Sequence, residues 1–385
     1  MRLLTWLRHK RFSYEPLITI ETSRARLLHN LKEFSSYAPG GYIAPILKAN
    51  AYGHGLFNVA KILEQDANNA GKIPFFGVDS YFEVVLLRAK GIKTPLLVIG
   101  YTRPETMKKS RLKNIFFAVT DMDMLKSLKT SDRKIKIHLK IDTGMHRQGI
   151  RPEEIRTAVE IIKNNSKIIL EGVYTHFSNA DNRDESFTKA QINLWNKCVE
   201  EIKINFPNIK YIHAASTDGS RFSKDISANV MRLGIGLYGI TENETLNSTL
   251  SLLPVLKMKT ILTGVKKLNK GETTGYGNTF KADKNMITGI VPIGYSEGLD
   301  RRLSNNGAVQ VGQKKTICPI IGRVSMNMIT IDISSVENPF VGMEVIVVSD
   351  NTSDPNSIQS IAKNCETNTH EMAVKIPAHL KRVIV

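Results

Sequence analysis

Polar residues of chemically useful types stand where the apolar runs of this chain give out. Lys48 ends a run from Tyr42 to Leu47 inside "ILKANAYGHG", and Asp142 and Arg147 follow "KIKIHLKID". His176 closes "IILEGVYTHF", Ser216 and Thr217 follow "IKYIHAA", and Arg232 lies in "ANVMRLGIGLYG". A lysine held at the end of a buried strand loses part of its hydration, which lowers its pKa and frees the amine as a nucleophile. The glycine-rich stretches "HAASTDGS" and "RLGIG" offer hydroxyls and backbone N–H groups suited to a phosphate. Arg232 offers a charged partner for a ring nitrogen. These needs together are those of a Schiff base with pyridoxal phosphate. Taken alone, Lys48 reads better as a surface residue at a strand end, and only its partners change that reading.

Positioning such a set takes strands that end on one side. Eight apolar runs, at 42–49, 74–79, 94–100, 114–120, 134–142, 168–177, 209–216 and 228–239, are separated by stretches with helical patterning. Spacings of this kind suit parallel strands joined by helical crossovers. Eight such units predict an α/β fold, a closed (β/α)8 barrel of the TIM type, with a doubly wound sheet as the alternative. In the fifth run Ile135, Ile137, Leu139 and Ile141 alternate with Lys136, His138, Lys140 and Asp142. One face is apolar and meets the helices, so the other puts a polar network inside the barrel, where buried charges need partners.

After about residue 245 the texture changes to strand-sized runs punctuated by glycine, which predicts a mainly antiparallel β domain. The expected organisation is a basic extension at residues 1–16, a barrel over 17–245 and a β domain over 246–385.

The net charge of the 385 residues is +17, yet the basic residues are spread along the chain, and no RNA-binding aromatic motif or zinc knuckle accompanies them. No nucleic-acid partner is expected. Hydrophobic residues make up 42% and charged ones 23%, as in globular proteins, and no apolar run reaches the ~20 residues of a membrane span. Three cysteines, far apart and odd in number, argue against a disulfide framework and a zinc site. The expected location is the cytoplasm.

The motifs "LKANAYGHG", "HLKIDTGMHRQGI", "GVYTHFSNAD", "MRLGIGLYG", "TTGYGNTF", "VPIGYSEGLDRR" and "IGRVSMNM" resemble, in content and order, those of the bacterial alanine racemases. The resemblance runs from about residue 17 to the end. It implies a pyridoxal phosphate enzyme that interconverts L- and D-alanine and supplies D-alanine for peptidoglycan. It implies Lys48 as the covalent attachment point and the base for the D-enantiomer. Tyr276 would be the base for the L-enantiomer, reaching into the barrel of the partner in a homodimer. Arg147, helped by the Met326 backbone, would bind the amino-acid carboxylate. Arg232 would face the ring nitrogen and His176 would lie by the ring, while Tyr52, Thr217, Gly234 and Ile235 would hold the phosphate. Lys140 matches a lysine that is carbamylated in family members; an unmodified Lys140 paired with Asp142 is the alternative. Tyrosine, with a reference pKa near 10, needs cationic help as a base, expected from the neighbourhood of His176 and Arg232.

Three positions depart from the family pattern. Ser216-Thr217 stands for the usual Asn-Ser, Met326-Asn327 for Met-Asp, and Ala378 for a pocket-closing tyrosine. A smaller, less acidic boundary leaves room for serine or larger side chains, because a pocket rejects an extra methylene by only ~1–3 kcal/mol. A decarboxylase of the same architecture is disfavoured, since it needs an acidic partner for the ring nitrogen where this chain has Arg232.

Overall fold

The computed structural model describes residues 15–66, 72–241 and 243–385; the basic extension expected at residues 1–16 lies almost wholly outside them. The chain forms two compact units: Ser23–Val255, and Leu256–Val385 together with the described residues up to Thr22. Strand β1 (Thr19–Thr22), expected in the barrel, therefore belongs to the second unit. It pairs with two C-terminal strands instead. The boundary expected near 245 falls at Val255, because the short helix Glu244–Thr249 still belongs to the first unit.

Every one of the eight expected strands is present in the first unit. They are β2 (Tyr42–Pro45), β3 (Phe76–Val78), β4 (Leu96–Val98), β5 (Ile115–Val119), β6 (Ile135–Lys140), β7 (Ile168–Tyr174), β8 (Tyr211–His213) and β9 (Val230–Leu233). The sheet order runs from β2 through β9, β8, β7, β6, β5 and β4 to β3, all parallel. A parallel bridge between Ile46 and Gly77, with Leu47 N donating to Gly77 O at 2.7 Å, joins its two edges. The doubly wound alternative is thereby excluded. Strands β3, β4 and β5 are buried along their whole length, as expected of strands with helices outside and a filled core inside. Ala44, Phe75, Leu97, Phe116 and Val230, from different parts of the barrel wall, fill that core. The covering helices are amphipathic: Ile155–Lys163 buries Ile155, Ala158, Val159, Ile161 and Ile162, a stripe at helical spacing.

The polar face expected on β6 is inside. His138 and Lys140 are buried, and Lys136 pairs at 2.7 Å with Glu171, which also takes Lys210 at 3.2 Å.

The second unit adds β10 (Leu256–Ile261), β11 (Gly264–Leu268), β12 (Thr273–Thr274), β13 (Phe280–Lys281), β14 (Met286–Val291), β15 (Ala308–Val311), β16 (Thr316–Ile321), β17 (Ile329–Asp332), β18 (Glu344–Val348) and β19 (Lys381–Ile384). Nine strands follow the order β11-β14-β17-β16-β15-β18-β10-β1-β19, antiparallel except for the β1–β19 pair, and β12 and β13 form a separate ribbon. The three cysteines are buried free thiols. Among the described residues, no helix is long and apolar enough to cross a membrane.

Candidate active site

The strand carrying Lys48 ends on an unusual turn. Ala49, Asn50, Ala51 and Tyr52 all have positive φ, between 50° and 56°, so four consecutive non-glycine residues wind left-handed. Each such residue costs roughly 1–2 kcal/mol, because its Cβ crowds the following carbonyl. The surroundings hold the turn in place. Ala51 N donates to Leu47 O, Gly55 N to Asn50 O, and Leu56 N to the Asn50 side chain, while Tyr238 packs 5.2 Å from the Tyr52 ring and 4.3 Å from that of His54. Non-glycine residues kept in such a conformation cluster at functional sites. Here the turn carries the Lys48 side chain at the barrel mouth and directs Tyr52 inward, where it is buried.

Lys48 is exposed as a residue, yet its amine is partly screened from water. Partial burial lowers its pKa; Asp79 opposes the shift, Arg147 and Arg232 reinforce it, and Glu83 opposes it more weakly. Asp79 reaches Lys48 by register, since the Ile46–Gly77 bridge places both residues two positions beyond paired backbone.

Arg232, at the inner end of the site, is only 5% exposed. It donates to Thr175 O and Ala214 O, both at 2.8 Å, to His213 Nδ1 at 2.9 Å and to His176 Nδ1 at 3.2 Å. Burial pulls its pKa down to about 10, which leaves it charged at neutral pH. Because a guanidinium only donates, His213 accepts at Nδ1 and carries its proton at Nε2, which donates to His138 Nδ1 at 2.8 Å. Burial and the Arg232 charge hold both imidazoles neutral, His138 at about 3 and His213 well below its usual value. His176 is also pushed down to about 3, by burial and then by Arg232, Lys140, Arg147 and Lys48. It therefore brings no positive charge at neutral pH. Of the two groups expected to give cationic help, His176 and Arg232, Arg232 alone carries a charge.

Lys140, 4% exposed, has its pKa lowered to about 8, first by burial and then by Arg147 and Arg232. Its amine stands 5.8 Å from the centre of the Tyr174 ring, whose hydroxyl is buried without a hydrogen-bond partner among the described residues. Lys140 and Asp142 make no direct ion pair among the described residues, although the Asp142 charge opposes part of the Lys140 shift. Asp142 Oδ1 accepts the backbone N–H groups of Gly144, Met145 and His146 at 3.0–3.1 Å, and so fixes the loop that presents exposed Arg147.

The last group converges on Gly234. A Cβ there would lie 2.9 Å from Tyr52 Oη and 3.9 Å from Thr217 Oγ1, so two hydroxyls meet the backbone at a place only glycine leaves open. Thr217 Oγ1 accepts Gly236 N at 3.1 Å, tying it to the turn Ile235–Tyr238. Burial pushes the Tyr52 phenol up to about 12, so its O–H remains a donor.

Tyr276 and Met326 lie in the β unit, where they line one cavity of about 520 Å³ with Gly275, Arg323, Ser325 and Asn327. Tyr276 is 72% exposed, on a tight turn between β12 and β13 flanked by Gly275 and Gly277 at positive φ.

The chain matches the alanine racemase N-terminal domain over residues 22–242 and the alanine racemase C-terminal domain over residues 255–384. It is 34% identical to an alanine racemase of Lactobacillus acidophilus across 96% of this chain and 98% of that protein. The chain belongs to the alanine racemase family. Among solved structures it resembles an alanine racemase of Clostridium difficile, with a TM-score of 0.88, 28% identity and 97% of each chain covered. It also resembles a histidine racemase of Leuconostoc mesenteroides, with a TM-score of 0.84, 26% identity and coverage of 97% of this chain and 99% of that one.

Measured against this family frame, the barrel unit gathers Lys48, Tyr52, Lys140, Arg147, His176, Thr217, Arg232, Gly234 and Ile235. Sequence reasoning missed Asp79, the Asp142 clasp on the Arg147 loop and the left-handed turn. Asp79 did carry a signal: it is the acidic residue that closes the second apolar run, as Lys48 closes the first. The residues present fit pyridoxal phosphate: a lysine of lowered pKa for its aldehyde, a cationic donor for its ring, and a hydroxyl-lined gap at Gly234 for its phosphate.

Proposed function

We propose that the chain is a pyridoxal phosphate-dependent racemase that interconverts L- and D-alanine with two bases, working as a homodimer in the cytoplasm and supplying D-alanine for peptidoglycan. The observation that carries this reading is the grouping of Lys48, of lowered pKa, with charged Arg232 and the hydroxyl-lined gap at Gly234. When bound, the cofactor supplies an electron sink for the charge left at Cα. Racemisation then needs a proton removed from one face of Cα and returned to the other, so two bases on opposite sides suffice. Lys48 serves one face and Tyr276 of the partner subunit the other, which accounts for a tyrosine held so far out of its own unit. Arg147 and the Met326 backbone hold the substrate carboxylate. Arg232 would donate a hydrogen bond to the ring nitrogen while keeping its proton. A lysine of pKa about 8 is partly neutral at physiological pH, so Lys140 can attack CO2 through its lone pair, forming an N–C bond and releasing a proton to solvent. The carbamate so formed would place a negative charge near Arg147 and an acceptor beside the Tyr174 ring.

Chiral analysis of alanine incubated with the cofactor-loaded protein tests the reading: both enantiomers should converge on the racemate. Unchanged enantiomeric excess, or visible cofactor absorption that survives Lys48→Ala, would overturn it.

A second reading, a broader racemase taking serine or larger side chains, is favoured by Ala378. The Arg382 guanidinium holds the carbonyls of Ile376, Pro377, Ala378 and Leu380 at 3.0–3.2 Å, so the short side chain of Ala378 sits on a fixed backbone. The likeness to a histidine racemase points the same way. Comparing kcat/KM for alanine, serine, lysine and histidine decides between them, and a large preference for alanine excludes the broader activity.

A further inference from the structure

The segment that carries Met326 lies in the loop between β16 and β17, and a buried carboxylate outside every role assigned above holds it. Glu297 is 9% exposed and ends the turn Tyr295–Glu297 that follows β14. Its Oε2 accepts Gly294 N at 2.8 Å and its Oε1 accepts Asn327 Nδ2 at 2.8 Å. Backbone bonds run alongside: Tyr295 N donates to Ser325 O at 3.1 Å and Ser296 N to Met326 O at 2.9 Å. The approach is so close that a Cβ on Gly294 would fall 2.2 Å from Ser325 O and 2.4 Å from Met326 O. Residues 294–297 thus form a template on which residues 325–327 are laid. The Asn327 amide is the side-chain tie between the two, and Asn327 also lines the cavity shared by Tyr276 and Met326.

We propose that Glu297 is a positioning residue which, through Asn327, fixes the Met326 segment for substrate binding, and that the tie works only with one carboxylate and one amide. This rests on the reading in which the Met326 backbone meets the substrate carboxylate. The chemistry of the pair is one-directional. A carboxylate only accepts, so the amide must turn its NH2 to Glu297 and keep its carbonyl oxygen for the cavity, which gives that wall a neutral acceptor in place of an anion. An aspartate at 327 would set two carboxylates within hydrogen-bond distance, and like charges so close do not both ionise. The other charged groups nearby are Asp300, bonded to Lys375 and Arg302, and Arg323 on the Met326 loop, and none of them changes in the variants below.

The test compares wild type with Asn327→Asp, Glu297→Gln and the double variant as holoenzymes, over pH 6 to 9. Loss of a charge-assisted bond worth ~1.5–3 kcal/mol corresponds to roughly 10- to 150-fold. Asn327→Asp should therefore raise KM for alanine at least about 10-fold at pH 8.5, with a smaller change in kcat. The defect should shrink as the pH falls and the pair takes up a proton. In the double variant, where the amide and carboxylate have exchanged places, KM should return to within about threefold of wild type. Thermal unfolding of the same four proteins over the same pH range reads the pairing without reference to activity, so it separates failure of this proposal from failure of the racemase reading. A KM for Asn327→Asp that matches wild type, a defect independent of pH, or absence of rescue by Glu297→Gln overturns the proposal.

Discussion

The left-handed turn after Lys48 makes a prediction opposite in sign to ordinary helix propensity. Replacing alanine by glycine inside a right-handed helix costs roughly 0.5–1 kcal/mol, because glycine surrenders more backbone freedom on folding. At Ala49, with φ 54° and ψ 53°, the same change also removes a Cβ clash worth roughly 1–2 kcal/mol. Ala49 is exposed, so no buried methyl is lost. The balance for Ala49→Gly is then a stabilisation of about 0.7 kcal/mol. Ala51, at φ 54° but fully buried, loses a methyl worth ~0.8 kcal/mol as well, and Ala51→Gly should come out near neutral. Ala190, exposed within the right-handed helix Ser186–Asn205, is the control, and Ala190→Gly should be destabilising. With ~2–4 °C per kcal/mol for a unit of this size, calorimetry on the cofactor-free protein should find Ala49→Gly raised by about 1.5–3 °C and Ala190→Gly lowered by a similar amount. A fall of equal size at both positions would show that the turn is not strained and would refute the reasoning. If the strain serves to aim Lys48, Ala49→Gly should gain stability while losing kcat.

If Tyr52 and Gly234 hold the phosphate as proposed, Tyr52→Phe would remove one donor and Gly234→Ala would push a methyl against Tyr52 Oη; equilibrium dialysis should find cofactor affinity weakened by roughly 10- to 150-fold in each, the worth of a charge-assisted hydrogen bond. With Lys140 at about 8, labelled bicarbonate should give a carbamate carbon signal that grows as the pH rises from 6.5 to 8.5 and is absent in Lys140→Ala. His138 and His176 titrate near 3 in the fold and near 6.5 when unfolded, so the unfolded chain binds the extra protons and stability is lost as the pH falls below 6.5. Between pH 7.5 and 5.5 each imidazole contributes a loss on the order of 1 kcal/mol, read from denaturant midpoints, and His138→Gln should remove its share of the slope.

Legibility followed the range of the physical cause. Barrel strands such as β3, β4 and β5 were readable because burial on both faces writes a continuous apolar run into them, and the strand ends marked the mouth. The polar stripe on β6 was readable because alternation survives in any strand with two unlike faces. The turn at 49–52 was not readable: alanine and tyrosine give no sign of positive φ, and that backbone is imposed by Tyr238 and by the chain on either side. The first strand escaped for the same reason, since "TIET" alternates as a strand of either unit would, and only its partners β10 and β19 decide where it pairs.

The same distinction explains how charge is arranged around Lys48. Residue types alone suggested that any basic neighbour could assist a tyrosine base, His176 included. Burial sorts those neighbours into two kinds. Histidine, whose neutral form is cheap to bury, gives up its proton, and the His213–His138 pair behind charged Arg232 becomes a fixed set of neutral donors and acceptors. Arginine, with far more basicity to lose, keeps its charge even when pulled down to about 10. Lysine falls between them: Lys140 is pulled down to about 8, so its proton count can change near neutral pH, and the Lys48 amine is shifted in the same direction. In the proposed mechanism Lys48 would act at Cα and Lys140 would react with CO2, and an arginine in either position would be unable to do that work.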